Sequence, residues 1–515
     1  VRALLSVANR QGLAAFARDL IDLGVEVYAT DGTREHLGAD GIDVLPVASL
    51  TGVGQLLGGI VKTFHPSVYG GILARRDRPA QLAELAEQSI ELIDLVVVNV
   101  KPFAPQVGES RVPLHEALDV IDVGGTALLA AAARNHASVT AVPTPAAYEV
   151  VIAELRSRGD VSAEVRQRLA AEAFAIVAAY HAEVAAYLNQ VTNTTFPPQI
   201  AVVLEKVTDL AHGENPHQRA AFYRETTHRN GTVADATRVQ GPTPSFNDLL
   251  DLDAAWRIAS DFAGPTAVVV RHTDPVGIAS HTVLATAFLR ALETDPPAAF
   301  GSTVGLNRLV DEVTAGVLME GSFEAVVAPG YAPEALGVLA RRPDLEVLQV
   351  PPNPPDGLRD YGIAALDFKR IGGGLLVETL DVTALDRGQL RVVTERRPTL
   401  EELTDLMFAW RAAAHVRSNA IVLARSLQTV GIGGGQVSRQ VAVEIAIRRA
   451  GDRARTAVMA SDAYFPFPDV IAHAATAGVT AIIQPGGSRR DAMAVEVADR
   501  HHLAMVFTGR RHFRH

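Results

Sequence analysis

The sequence predicts an α/β fold of more than one domain, and three observations carry that reading. Short apolar runs alternate with segments of helical periodicity along most of the chain, the pattern of a parallel sheet covered on both faces. Several runs are continuous in Val, Ile and Leu, as strands buried on both faces are. The length, 515 residues, exceeds what one core usually supports.

The elements follow in order. "ALLSVA" precedes the helical "GLAAFARDLIDLG", and "VEVYAT" leads into "DGTREHLGADG". "IDLVVVNV" and "ASVTAV" are further strands. Residues 145–192 are rich in Ala, Glu and Arg at helical spacing, most strongly in "AAEAFAIVAAYHAEVAAYLNQ". The Thr, Asn and paired Pro of "VTNTTFPPQI" break that pattern, which divides the chain into 1–195 and 196–515. In the second part "TAVVVRH", "NAIVLARS", "TAVMASD" and "TAIIQPG" read as buried strands. "DLDAAWRIASDFA", "EELTDLMFAWRAAAHV" and "SRQVAVEIAIRRAG" read as helices. The recurrence suggests two related lobes, about 200–370 and 375–515. "PPNPPDG" (351–357) is a Pro-rich surface connection, and Asp274, Pro275 and Gly277 read as a turn closing the "AVVVRH" strand.

Composition narrows the function classes. With 48% hydrophobic and 20% charged residues, the chain is globular rather than disordered. A net charge of −11 gives no cationic excess for nucleic acid or an anionic membrane, although a local basic pocket stays open. The absence of cysteine excludes disulfides and Cys-ligated zinc, and permits a reducing cytosol. No run of eighteen apolar residues occurs, so no membrane span is expected. The first residues lack a signal-peptide pattern, and a cytoplasmic location is expected.

In open α/β sheets ligands bind beyond the carboxyl ends of the strands, and several polar clusters occupy that position. "ATDGT" (29–33), "VKTFHP" (61–66) and "IDVGGT" (121–126) place Gly and Thr where backbone N–H groups and a hydroxyl can meet a phosphate, with Lys62 and Thr63 adding a charge and a donor. Each alone is more simply a strand-to-helix turn; three in one domain make a candidate anion site. The second part offers "HGENPHQ", "RHTDPVG", "RSNA", "GIGGGQVSR", "SDAYFPFPD", "QPGGSRRD" and "RRHFRH". His272 is the natural general base, because an imidazole with an ordinary pKa of about 6.5 takes and gives a proton near neutrality. Its plainer alternative is a hydrogen-bonded structural His. "RRHFRH" is either a solvated tail or an arginine clamp for phosphate. "GIGGGQ" lacks the helix-opening G-x-G-x-x-G of a dinucleotide site.

Taken together and in order, "GGIVKTFHPSVYGGILARRD", "IDVGGTALLAAAARNH", "GENPHQ", "LLDLDAAW", "RHTDPVG", "SNAIVLA", "SDAYFPFPD", "AGVTAIIQPGGS" and "RHFRH" are highly specific. Over essentially its full length the chain resembles the bifunctional AICAR transformylase/IMP cyclohydrolase family. The resemblance implies a methylglyoxal-synthase-like, doubly wound N-terminal domain for ring closure. It also implies two cytidine-deaminase-like lobes without zinc for formyl transfer, and a homodimer whose transformylase sites are shared between subunits. The implied formyl donor is 10-formyltetrahydrofolate, a cosubstrate; AICAR, FAICAR and IMP are the nucleotides, and no catalytic metal is expected.

Carried over position by position, the resemblance makes His272 the formyl-transfer base, next to Arg271, with Asn419 orienting the substrate. Asp462, with Phe465 and Pro466, would contact folate, and Arg511 would bind phosphate. Lys62, Thr63 and Asp122 match cyclohydrolase positions, joined there by Lys101 and Arg134. Ser6, Arg10, Thr30, Gly32, Thr33, His212 and Gly301 are implied substrate or phosphate contacts.

The departures cluster at these positions. Asp31 stands where the family has Gly, Ile60 where it has Arg, Arg10 and Arg134 where it has Lys, and Lys101 where it has Tyr. Ala211-His212 replaces an Arg-Tyr pair, and Arg271 replaces a Lys. Arginine keeps the charge of lysine but not its capacity to be tuned toward neutrality. A carboxylate at 31 repels a phosphate unless it faces away. Three readings remain at this point: an enzyme of the ordinary purine pathway with unusual pockets, a paralogue acting on an AICAR-like nucleotide in a specialised nucleoside (antibiotic) pathway, or a noncatalytic nucleotide-binding dimer scaffold. Turnover of AICAR discriminates among them.

Overall fold

The computed structural model describes residues 1–103, 112–226, 231–351, 366–381 and 385–515. Residues 352–357 of the Pro-rich stretch lie outside the described residues. The chain divides into two units, Val1–Val203 and Leu204–His515.

The first unit is built on β1 (Arg2–Val7), β2 (Glu26–Ala29), β3 (Leu45–Pro46), β4 (Leu95–Asn99) and β5 (Thr140–Val142). They stand in the order β3-β2-β1-β4-β5, and every pairing is parallel. The continuous apolar runs have their reason here: all five residues of β4 are buried, with separate cores on the two faces of the sheet. Helix Leu13–Asp22 buries Leu13, Phe16, Ala17 and Leu20, the i, i+3, i+4, i+7 stripe of an amphipathic helix. Helix Ala163–Val191 is long and apolar enough to cross a membrane by length and composition. In the fold it buries Leu169, Ala170, Ala173 and Tyr180, and its Glu172 accepts a 3.0 Å bond from the Thr144 hydroxyl.

The second unit opens with a separate hairpin, β6 (Leu204–Leu210) and β7 (Ala220–Glu225). A twelve-stranded sheet follows among the described residues. One half contains β8 (Thr237–Gln240), β9 (Thr266–Arg271), β10 (Asp274–Ser280), β11 (Ser302–Leu306), β12 (Phe323–Ala328) and β13 (Glu346–Gln349). A second small hairpin, β14 (Leu366–Ile371) and β15 (Gly374–Thr379), comes between. The other half contains β16 (Arg391–Val392), β17 (Ile421–Arg425), β18 (Gln428–Gly433), β19 (Val458–Ser461), β20 (Ala481–Gln484) and β21 (Ala504–Phe507). Read from the centre outward, the halves run β10-β9-β11-β12-β13-β8 and β18-β17-β19-β20-β21-β16. They match strand for strand, in pairing direction as well. The helices match too: Phe246–Ser260 and Leu400–Ala413 both begin with a capping box, Ser245 with Asp248 and Thr399 with Glu402.

One expected element is misplaced. Asp274, Pro275 and Gly277 do not form the turn; they belong to β10. The turn is the pair before them, His272 and Thr273, both left-handed with φ of 54° and 63°. Pro275 is accommodated because the register shifts between Pro275 and Gly277, and a bulge tolerates a residue that cannot donate to the ladder.

Candidate active site

In the first unit the strand order reverses between β1 and β4, and the crevice beyond their carboxyl ends is where such sheets bind ligands. Five of the expected residues gather there. The Thr33 hydroxyl accepts from the Val7 amide at 3.0 Å, Thr30 reaches Thr33 at 3.3 Å and Ser6 at 3.4 Å, and Arg10 donates to the Gly32 carbonyl at 3.3 Å. Three hydroxyls and a guanidinium thus stand at the start of helix Asp31–Ala39, whose N-cap Thr30 makes no side-chain cap. Unsatisfied N–H groups and the helix dipole there favour an anion. Asp31 occupies the first helical position, where its charge suits the dipole but competes with a bound phosphate.

The "IDVGGT" start is different. Asp122 caps helix Val123–Arg134 itself: its Oδ1 accepts from the Gly125 amide at 2.7 Å and its Oδ2 from the Lys101 amide at 3.1 Å. The Gly125 N–H is thus taken up within the protein. Asp122 ties the end of β4 to the helix, and its own N–H donates to the Tyr180 hydroxyl at 2.7 Å. Buried Thr63 lies beside this junction; a Cβ on Gly124 would sit 3.7 Å from its Oγ1. A shallow basin of about 340 Å³ lined by Phe64, His65, Pro66, Tyr69 and Ala127 opens next to it. Arg134 ends the same helix, twelve residues and about 18 Å along the axis from Asp122 at 1.5 Å per residue.

In the second unit the β9–β10 tip meets a segment of the other lobe. His272 is exposed at the tip. Next to it, the Thr273 hydroxyl accepts from Arg417 at 2.8 Å, and Asp274 accepts from the Arg417 amide at 3.0 Å. Arg417 leads directly into Ser418 and Asn419. The Asn419 amide group donates to the Gln436 carbonyl at 2.7 Å and accepts from Arg439 at 2.7 Å, which fixes its plane while each atom keeps a further bonding capacity. On the other side of the tip, Arg271 donates to the Phe300 carbonyl at 2.9 Å, next to Gly301, whose φ is 66°. Glu324 lies close by, its carboxyl pushed up by burial and by the charge of Asp248, against the opposing pull of Arg271 and His272.

Two comparisons with known proteins bear on this arrangement. The family model "AICARFT/IMPCHase bienzyme" matches residues 132–449, and "MGS-like domain" matches residues 12–127. Proteins named bifunctional purine biosynthesis protein PurH are similar over the whole chain. The one from Anoxybacillus flavithermus is 44% identical over 100% of this chain and 99% of its own length. The one from Bacillus subtilis is 41% identical with the same coverage. This chain belongs to the AICARFT/IMPCHase bienzyme family. A solved structure titled "Crystal structure of ForH" is 39% identical, covers 36% of this chain and 97% of that chain, and has a TM-score of 0.33.

The surroundings of the remaining expected residues differ. Asp462 is 0% exposed; its carboxylate is held by Arg439 and by the Ser418 hydroxyl at 2.6 Å. Both carboxylate oxygens are thus engaged within the protein. Phe465 is in the core at 1% exposed, whereas Tyr464 and Phe467 of the same loop face outward, and Arg490 stacks on the Phe467 ring. Pro466 is half-buried and its carbonyl accepts from Arg490 at 3.1 Å. In the C-terminal "RHFRH", Arg511 is exposed over the Phe513 ring while His512 is buried. His212 is held by its own loop, with Nδ1 2.8 Å from the Gly213 carbonyl. Lys62 is half-buried; Lys101 is exposed, as is Ile60. Sequence reasoning missed Arg439, which joins Asn419, Ser461 and Asp462 from a buried position. Its only signal was an arginine opening a helix after a Gly-rich stretch. Among the described residues no cluster of three or more His, Asp or Glu could hold a metal ion.

Proposed function

We propose that the second unit transfers the formyl group of 10-formyltetrahydrofolate to the 5-amino group of AICAR, and that the first unit closes the resulting FAICAR to IMP. Relatedness across the full length to proteins named for bifunctional purine biosynthesis supports both steps. The observation that supports the assignment of residues is the contact of the His272–Thr273 turn with Arg417, two residues before Asn419, while the His272 side chain is exposed.

The 5-amino group is a weak nucleophile because the imidazole ring and the carboxamide withdraw its electrons. As its nitrogen attacks the formyl carbon, His272 takes a proton from it, the bond from the formyl carbon to N10 breaks, and the folate nitrogen leaves with a proton. Donors aimed at the developing oxyanion lower the barrier further, and Asn419 would serve there or hold the carboxamide. In the first unit the carboxamide nitrogen of FAICAR attacks the new formyl carbon and water is lost. Holding both ends in one crevice makes this an intramolecular closure. Ser6, Arg10, Thr30, Gly32 and Thr33 would take the phosphate, with Lys62, Thr63, Lys101 and Asp122 around the closing ring.

The exposure of His272, Arg511 and Phe300 supports a homodimer in which a second copy covers the transformylase site; Arg511 is then free to bind the AICAR phosphate. We place the enzyme in the cytoplasm. The test is turnover of AICAR with 10-formyltetrahydrofolate, reading tetrahydrofolate and IMP separately. His272→Ala should cut tetrahydrofolate release to a small residual rate and leave cyclisation of supplied FAICAR intact; unchanged formyl transfer in that variant sinks the assignment.

A further inference from the structure

The β9–β10 turn is built from the wrong residues for its shape. A two-residue hairpin with positive φ at both central positions favours Asn-Gly or Gly-Gly, and a β-branched residue there is an outlier. This turn holds His272 and Thr273 at 54° and 63°. Such geometry persists only where its surroundings impose it. The imposing group is the carboxylate of Asp251, on helix Phe246–Ser260. Its Oδ2 accepts from the His272 amide at 3.1 Å and its Oδ1 from the Thr273 amide at 2.6 Å.

The internal repeat supplies a control. The β17–β18 turn holds Ser426 and Leu427 at φ of 52° and 59°. Asp405, on helix Leu400–Ala413, accepts from their two amides at 2.7 Å each. Both lobes therefore carry the same clamp, one carboxylate over two left-handed amides. Only one clamp presents an imidazole; the other presents a serine.

We propose that Asp251 is a positioning residue for formyl transfer: by fixing the left-handed turn it aims the His272 imidazole, without itself touching substrate. This rests on the reading of His272 as the base. Arg417 holds the same turn from the other side through the Thr273 hydroxyl, so the tip is fixed by one group from each lobe.

The test compares Asp251→Asn with Asp405→Asn in the full-length enzyme, alone and combined with His272→Ala. Asparagine keeps the size but accepts with one oxygen. Both variants should lower the unfolding midpoint to a similar extent. Only Asp251→Asn should lower transformylase kcat, by about tenfold to a hundredfold for a misaimed group, with the AICAR KM within about threefold. Added to His272→Ala, it should produce no further loss, because it acts through that side chain. Equal kcat losses in the Asp251 and Asp405 variants, or a further loss on top of His272→Ala, overturn the proposal while leaving the base intact. If His272→Ala itself turns over normally, the reading beneath it fails instead. Asp251→Glu provides a variant that keeps the charge, and partial recovery of kcat is expected from it.

Discussion

At the scale of single residues, two buried charges decide more than the exposed ones. Arg439 and Asp462 are 7% and 0% exposed and paired with each other. Removing one member of such a pair leaves an uncompensated buried charge, at a cost of about 3–5 kcal/mol. Asp462→Ala should therefore lower stability by that order in chemical denaturation and also loosen Asn419. A loss below about 1 kcal/mol would show that the pair is not desolvated. Glu346, at the start of β13, is 6% exposed and its Oε2 has no hydrogen-bond partner. Burial, and then the charge of Asp248, push its carboxyl up to about 8 from 4.5. Between those values the folded state holds a proton that the unfolded state has released. The stability this gives is complete below about pH 4.5 and is lost as pH rises through about 8. A proton retained over so wide a range contributes on the order of a few kcal/mol. Glu346→Gln stays neutral and should flatten that decline, making the variant more stable than the parent at pH 8.5; parallel melting curves across pH 5–9 would refute it.

At the scale of elements, the strands were legible and the turns were not. Val268, Val269 and Val270 read as a buried strand because burial on both faces removes the need for polar alternation, and all three are fully buried. The start of β10 read as a turn because Asp, Pro and Gly are turn residues; a tertiary clamp overrode that local preference. The distance of Arg134 from Asp122 was hidden for a related reason, since nearness in sequence conceals the length of the helix between them. The burial of Asp462 and Phe465 was not legible, because which residues of a loop face inward depends on packing, not on a motif. Gly277 illustrates the element scale from the opposite side. It was read as turn chemistry, yet a Cβ there would lie 2.0 Å from the Ala291 carbonyl, and one on its counterpart Gly431 2.2 Å from the Ala446 carbonyl. In each lobe a glycine lets helix and strand approach closely. Gly277→Ala and Gly431→Ala should each destabilise by at least about 1–3 kcal/mol, the usual cost of overpacking. Denaturation midpoints unchanged in either variant would mean that the helix gives way freely.

At the scale of the whole molecule, the two halves of the twelve-stranded sheet are not independent, whereas the first unit has its own cores. One core cluster of the second unit draws on both lobes: Trp256, Val268 and Ile278 from one, Leu406, Trp410 and Val422 from the other. Phe262 and Phe408 meet at 5.2 Å between ring centroids, and Asp261 pairs with both Arg411 and His415. The sheet joins across its middle by little backbone pairing: Ala279 opposite Gln428, and the Ser280 amide to the Leu427 carbonyl at 2.9 Å. Side chains complete the seam, with Thr294 reaching both the carbonyl and the hydroxyl of Thr429 at 2.6 and 2.9 Å. Cutting between the lobes would expose the apolar residues of this shared cluster, and apolar burial is what offsets the entropy of ordering a domain. The first unit instead closes its sheet with its own helices on both faces. Residues 1–203 expressed alone should therefore melt cooperatively and cyclise FAICAR, as should 204–515 for folding, while 204–380 and 385–515 made separately should not. Circular dichroism melts of the four fragments check this. A cooperative transition in 204–380 alone would show that this lobe carries a sufficient core without the shared cluster.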